Sequence, residues 1–413
     1  MGDKNKNRIT VFEHQALKLS DNDEFKKHHL EALQRYYGER GTNYFSLINN
    51  GVKFNQYVGV LQVGKLVIEV LPKTDKSENI DWRKLLISML RVVGTVKVFN
   101  AGTTNLKLRS NSILDLYFEL FITEVELLIH QGLIKQYRRD EGNRSSLKGK
   151  LHFPKQLQHN IIHKERFFVN HQTYDWENIH NQILLAALKV IQTINTSSAL
   201  QSRIESLLMA FPELSSIKVT ENTFNRLTFS RKTEPYREAL NIARLILLNY
   251  HPDLSKGQNN VLALLFDMNV LWERFILKSL KEYAPKDIRV KGKIRKPFWK
   301  PEIGNRAFIE PDIVIEHGEA TYVLDTKWKV LKDNRPSDDD LKQMYVYSKY
   351  YNSSYTALVY PGNGMDSCPG KFCPEFKEAP EFSCSLIRID IPDANVRKWQ
   401  NELSMKLIGS INS

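Results

Sequence analysis

The sequence predicts a mixed α+β and α/β multidomain protein: a β-rich N-terminal module, a mainly helical middle with a basic extension, and an α/β C-terminal domain. Three observations predict it. A chain of 413 residues with 42% hydrophobic side chains can fill two or three cores. From Ile9 to about Lys73, β-branched and aromatic residues alternate with polar ones in "ITVFEHQALKL", "YFSLI", "VKFNQYVGVLQVG" and "KLVIEVLPK", the period of half-buried strands. Beyond a composition shift at "HPDLSKGQNN", near His251, the order becomes helix, basic linker, strand, strand, helix, strand, which belongs to an α/β domain. The boundaries drawn on this basis are 1–130, 131–255 and 256–413.

Helices are expected at "DWRKLLISMLRVVG" and at "SILDLYFELFITEVELLIHQGL", where apolar residues recur every three or four positions until Gly132. Between Tyr137 and Lys155, "YRRDEGNRSSLKGKLHFPK" sets six Arg or Lys against Asp140 and Glu141, reading as an exposed basic loop or hairpin. Helices resume at "NIHNQILLAALKVIQTI" and "REALNIARLILLNY", and a further helix is expected over "ALLFDMNVLWERFILKSLKEYA".

With 59 Lys and Arg against 47 Asp and Glu, the net charge is +12, which biases the partner toward a polyanion such as nucleic acid. No charge-led apolar segment opens the chain and no apolar run approaches a membrane span, so a cytoplasmic protein without membrane association is expected. Cys368, Cys373 and Cys384 are an odd, sparse set rather than a disulfide framework. "CPGKFC" lacks the paired ligands of a zinc knuckle, so ordinary loop cysteines are expected.

"GVLQVGKL", Gly59 to Leu66, matches the first seven positions of a phosphate-binding loop. The eighth residue is Leu66, without a hydroxyl for magnesium, and "LVIEVLP" continues as a strand where a helix N-terminus is required. A hairpin with a glycine turn is expected instead.

The chemistry concentrates in "FIEPDIVIEHGEATYVLDTKWKV", Phe308 to Val330. Carboxylates in apolar strands cost solvation unless an interaction offsets it. If His317 and Gly318 form a hairpin tip, Asp312 faces Val323, and Val323, Asp325 and Lys327 share its side of the sheet. Asp312 and Asp325 would then be diagonal neighbours, within reach of one ion. Two convergent carboxylates suit Mg²⁺, whose shell is completed by water and phosphate oxygens. Lys327 beside them could orient or deprotonate water or hold a phosphate oxygen. Solvent-facing strand residues are the alternative reading of each acid and of the lysine.

Pro311-Asp312 followed by Asp325-Thr326-Lys327 resembles the PD-(D/E)XK nuclease superfamily, and Gln343 and Tyr347 in "DLKQMYVYSKYY" resemble the Gln-x-x-x-Tyr found after the lysine strand in several of its families. Helix packing alone would also account for Gln343 and Tyr347. Over nearly the whole chain, "VFEHQAL", "YVGVLQVGKLVIEVLPK", "FDMNVLWERFI", "PDIVI", "VLDTKWK" and "QMYVYSKYY" follow in the order seen in the McrC family, nuclease subunits of McrBC-type modification-dependent restriction systems. The resemblance implies a restriction-endonuclease-like C-terminal domain with Asp312, Asp325 and Lys327 catalytic, Asp312 and Asp325 as ligands of Mg²⁺, and Glu273 of "LWERF" as a possible accessory acid. A solvated or salt-bridged helix glutamate is the other reading of Glu273.

It further implies docking on a McrB-like AAA+ GTPase hexamer, with GTP bound by that partner, and double-stranded DNA, methylated or unmethylated, as substrate. The basic segment would reach into the pore of the GTPase ring, with Arg144, after the flexible "EGN", as the first candidate for activating the partner; DNA binding by the same segment is the competing reading. The acidic run Asp338 to Asp340, after Ser337, reads as a capped helix start. "IRVKGKIRKPFWKP", Ile288 to Pro301, reads as a linker that is either phosphate-binding or merely solvated. The alternatives to an endonuclease subunit are an activator of the partner's NTPase with an idle nuclease fold, and a stand-alone repair nuclease.

Overall fold

The structure, a computed structural model, describes residues 7–72, 82–93, 113–252, 260–329, 331, 335–362, 367–373, 382–391 and 396–412. The chain forms two compact units: residues 1–61, 66–105 and 265–413 in one, 62–65 and 106–264 in the other. The divisions at 1–130, 131–255 and 256–413 are sequential along the chain, whereas these units interleave, the N-terminal strands joining the C-terminal domain. Most of the "HPDLSKGQNN" boundary lies outside the described residues. No described helix is long and apolar enough to cross a membrane.

In the first unit, Arg8–Phe12 runs parallel to Leu66–Leu71, pairing Ile9 with Ile68 and Val11 with Val70. Leu66–Leu71 also neighbours Tyr57–Val63 across a turn containing Gly64 at φ 58°, the left-handed conformation glycine adopts freely. The phosphate-loop lookalike is therefore a hairpin. A small sheet of Ala16–Lys18, Gly51–Phe54 and Phe45–Ile48 stands beside it in sequence, and the helix Lys27–Arg40 interrupts the strand-like reading of this region.

The C-terminal sheet has the order Ile288–Gly292, Ile313–His317, Ala320–Thr326, Tyr355–Pro361, Ser383–Ile389, Ser367–Cys368. Its first three strands are antiparallel, and Ala320–Thr326, Tyr355–Pro361 and Ser383–Ile389 run parallel. The helix Asp338–Tyr351 supplies the crossover between the first two parallel strands. Its Met344, Tyr347 and Tyr351 pack with Val314, Val323, Leu358 and Leu386. The helices Met268–Tyr283 and Val396–Asn412 meet through Phe275 and Trp399, whose ring centroids are 4.5 Å apart.

Two expectations are corrected here. Val261–Asp267 is a strand, with the helix beginning only at Met268 after the Asp267 cap. "IRVKGKIRKPFWKP" is no solvated connector: Ile288–Gly292 is a strand of the sheet and Lys296–Trp299 pairs with Ala307–Ile309. Apolar alternation at Ile288 and Val290 was legible, but the density of lysines masked it.

In the second unit the helices Ile113–Gln131, Ile179–Ile194, Ser198–Ala210 and Arg237–Asn249 accompany a three-stranded sheet of Gln136–Arg144, Phe167–Asp175 and Lys150–Leu151. "EGN", expected to be flexible, lies inside the regular ladder, where Glu141, Gly142 and Asn143 face Asn170, Val169 and Phe168. Arg144 closes that ladder opposite Phe167 and forms a 2.7 Å ion pair with Asp140. Partner strand Phe167–Asp175 carries the β-rich pattern; the charged strand takes its conformation from it.

Candidate active site

The register of the Asp312–Lys327 hairpin differs from expectation by one residue at the tip. The turn is Gly318–Glu319, with Gly318 at φ 59° and His317 paired to Ala320. Ile313 then pairs with Leu324, and the same offset sets Asp312, just before its strand, opposite Asp325 rather than diagonal to it. Because the change is by two residues in pairing, side-chain faces are preserved. The structure thus brings the two carboxylates closer in register than the sequence reading did.

Asp312 is fixed by Thr326, whose backbone N and Oγ1 both donate to Asp312 Oδ2 at 2.7 and 2.8 Å. Asp325 is buried, and burial, followed by the negative charge of Asp312, pushes its pKa up to about 7 against the pull of Lys327. Lys327 Nζ lies 2.7 Å from Asp325 Oδ2 as an ion pair, yet that oxygen accepts no well-angled hydrogen bond. Burial alone would lower the Lys327 pKa. The carboxylates of Asp325, Asp340 and Asp312 reverse this and hold the ammonium above the ordinary lysine value.

Gln343 and Tyr347 do more than pack. Lys327 Nζ donates to Gln343 Oε1 at 3.1 Å, Gln343 Nε2 donates to Tyr347 Oη at 2.8 Å, and the Tyr347 hydroxyl donates to Glu310 O at 3.1 Å. This chain orients the amide and aims its oxygen at the lysine. Glu273 is buried on the Met268–Tyr283 helix, with Lys293 Nζ 3.1 Å away. Burial and then the charge of Asp312 raise its pKa, so it faces the same acidic centre.

Sequence reasoning missed two contributors. Asp340 stands in the first turn of its helix and Ser337 Oγ accepts from its backbone N, as a capped start requires. Its side chain, however, is buried, accepts from Lys329 and lies 3.9 Å from Lys327 Nζ. Burial pushes the Asp340 pKa up, but Lys329, Ser337 and Lys327 outweigh it and leave the carboxyl below its usual range. The sequence signal is partial: 340, 343 and 347 fall on one helical face, but that this face meets Lys327 depends on where the helix is placed. The other contributor is Glu13, whose Oε1 accepts from Trp328 Nε1 at 2.8 Å. Nothing in the sequence links two residues so far apart.

The donor set fits a hard divalent cation. Two carboxylates adjoin, the charge of Asp312 adds to burial in raising the Asp325 pKa, and a buried Asp325 oxygen accepts no well-angled hydrogen bond. No cluster of three or more His, Cys, Asp or Glu forms a metal cage among the described residues; Mg²⁺ requires only one or two protein carboxylates when water and phosphate complete its shell. The cysteines are free, with Cys368 and Cys373 exposed and Cys384 buried in the Ser383–Ile389 strand rather than in a loop.

Comparison with solved structures agrees with this architecture. A chain of the refined half-complex from the tetradecameric assembly of Thermococcus gammatolerans McrB AAA+ hexamers with bound McrC superposes with a TM-score of 0.74 at 21% identity, covering 98% of this chain and 100% of that one. A chain of the Thermococcus gammatolerans McrBC complex gives a TM-score of 0.53 at 21% identity, covering 68% of this chain and 89% of that one. At such identity the likeness is one of fold. No curated protein matches the sequence. The family model for the McrBC 5-methylcytosine restriction system component matches residues 52–361, well over half of the sequence, including Glu273, Asp312, Asp325, Lys327, Asp340, Gln343 and Tyr347 but not Glu13. The chain therefore belongs to the McrBC 5-methylcytosine restriction system component family, as the resemblance of its motifs to McrC implied.

Proposed function

We propose that this chain is the Mg²⁺-dependent DNA endonuclease subunit of a McrBC-like restriction system. In this reading the C-terminal domain is a PD-(D/E)XK nuclease that cuts DNA when assembled with a McrB-like AAA+ GTPase hexamer, whose GTP hydrolysis the chain stimulates. The observation that carries it is Asp325 and Lys327 leaving one strand beside Asp312, with the ammonium held 2.7 Å from Asp325 and 3.1 Å from Gln343.

Asp312 and Asp325 would hold the metal, which when bound supplies Lewis-acid polarisation of the phosphate and acidification of water. Thr326 fixes Asp312 so that its carboxylate need not reorganise when charge develops. Lys327, kept as an ammonium by its carboxylate neighbours, donates to a phosphate oxygen or to the leaving oxygen rather than accepting a proton in the metal-free state. Gln343 and Asp340 limit the directions that ammonium can take. Stimulation of the partner is assigned to the basic sheet of the second unit, with Arg144 first.

The test is to purify the chain with a McrB-like GTPase and measure cleavage of methylated and unmethylated DNA with Mg²⁺ and GTP. Cleavage abolished by Asp312→Ala and Asp325→Ala is the expected result. If GTP hydrolysis is stimulated while no DNA is cut under any condition, the chain is an activator with an idle nuclease fold.

A further inference from the structure

Between the first strand of the C-terminal sheet and Asp312, the chain makes an excursion whose outer part, from Lys296 to Ile309, the catalytic constellation does not use. Lys296–Trp299 and Ala307–Ile309 form a separate two-stranded ribbon, with a register shift between Pro297 and Trp299. Its tip turns large apolar side chains outward: Trp299 is 61% exposed and Ile303 94%, and Phe298 and Phe308 are also exposed. A cluster of this kind marks a surface that meets something.

The charges say what. Arg295 pairs with Glu310 at 3.1 Å and Lys293 with Glu273, but among the described residues neither Lys300 nor Arg306 has an ion-pair partner, and both are exposed. Cations interleaved with exposed aromatics match a polyanion that also offers flat π faces, which is nucleic acid rather than an apolar protein groove.

The root is rigid and shares its anchor with the catalytic lysine. The Tyr351 hydroxyl donates to Ile294 O and lies 3.3 Å from Ile309 O, so one side chain clamps both legs of the ribbon. Lys296 Nζ donates to Tyr350 O at 2.8 Å, and the Phe298 and Tyr350 rings meet at 5.3 Å. Tyr350 and Tyr351 belong to the helix Asp338–Tyr351 that carries Asp340, Gln343 and Tyr347. The second leg ends at Ile309, three residues before Asp312.

We propose that this ribbon is a DNA wedge: Trp299, backed by Phe298 where that ring packs on Tyr350, inserts at a base step of the duplex and stacks on the base it unstacks, while Lys300 and Arg306 neutralise the flanking phosphates. Inserted apolar side chains kink duplexes in this manner, and base stacking tolerates any sequence. The assignment rests on the nuclease reading for its substrate, and its anchoring to the Asp338–Tyr351 helix would register the distorted step with the metal site.

The test uses the full chain, a fluorescent duplex carrying 2-aminopurine, and Ca²⁺ in place of Mg²⁺ for binding, with Mg²⁺ cleavage in the partner complex measured separately. The double variant Phe298→Ala/Trp299→Ala is expected to bind about tenfold more weakly and to lose the 2-aminopurine signal, with the salt dependence unchanged. Lys300→Ala/Arg306→Ala is expected to flatten the slope of log affinity against log salt by close to two, about 0.9 per phosphate contact. These exposed changes leave the melting temperature as a control on folding. Wild-type binding and salt slope in both double variants, with cleavage intact, would overturn the wedge and leave the nuclease reading standing. Lost binding in the variants of a chain that never cuts would support the wedge and overturn the nuclease. Loss of co-elution with the GTPase, with DNA binding unchanged, would make the ribbon a protein contact and overturn the proposal.

Discussion

Two ion pairs of equal length stand in the two units. Lys327 reaches Asp325 at 2.7 Å in the first, and Arg144 reaches Asp140 at 2.7 Å in the second. The aspartate side chains are 3% and 22% exposed, respectively. The exposed pair belongs to a class worth at most about 1 kcal/mol. In the buried pair, desolvation and the neighbouring Asp312 push Asp325 up to about 7 despite the touching cation. Distance is the same in both; burial decides which pair is chemically poised.

The largest effect expected is on cleavage. Asp325→Ala or Asp312→Ala in the partner complex should lower the single-turnover rate by more than the roughly 100-fold that even an outer-shell change can cost a metal enzyme, without loss of co-elution with the partner. A wild-type rate in either variant would dissolve the contrast between the two pairs. Lys327→Ala should lose about 10² to 10⁴ in rate, the range of a positioned proton-handling group, while Mg²⁺ affinity read by titration calorimetry changes little.

Stability should run in the opposite direction. The folded Asp325 pKa of about 7 lies above its unfolded value, about 3.9, so the folded state binds the extra proton between those limits. The resulting stabilisation is complete below about pH 4 and is lost as pH rises toward 7. Metal-free Asp325→Asn should therefore melt above wild type at pH 8, and the difference should shrink as pH falls below 7. Thermal melts in EDTA across that range decide it; equal melting of both proteins at pH 8 would mean that burial is not straining Asp325.

A smaller loss is expected for Glu13→Leu, which leaves the Trp328 indole N–H buried without its acceptor, at about 1–3 kcal/mol by chemical denaturation. Glu13→Gln keeps an acceptor and should restore most of it. The smallest change should come from Arg144→Ala, below about 1 kcal/mol in stability. Stimulation of partner GTP hydrolysis should nonetheless fall. If stimulation persists while DNA binding is lost, the basic sheet is a DNA surface instead.

How much could be read in advance differs between these regions. Asp312, Asp325 and Lys327 stood out because acids and a lysine interrupt apolar strands, and strand alternation places them on one face even when the turn is misjudged by a residue. The ordered sheet at Gln136–Arg144 could not be read, since its alternation is polar throughout and its conformation is imposed by Phe167–Asp175. Asp340 was visible as a cap but not as a neighbour of Lys327, because capping is local and the approach of its side chain to the lysine depends on helix placement.

By itself, then, the order of residues determined the glycine turns at Gly64 and Gly318, the cap at Ser337 and the common face of Asp312 and Asp325. These depend on dihedral freedom and on periods of 2 and 3.6, which act over a few residues. Only tertiary structure decided that Glu13 meets Trp328, that Gln343 holds Lys327, and that Asp325 is buried enough to titrate near 7. Those outcomes come from packing and desolvation, which depend on which segments close over a side chain and not on the residues beside it in the chain.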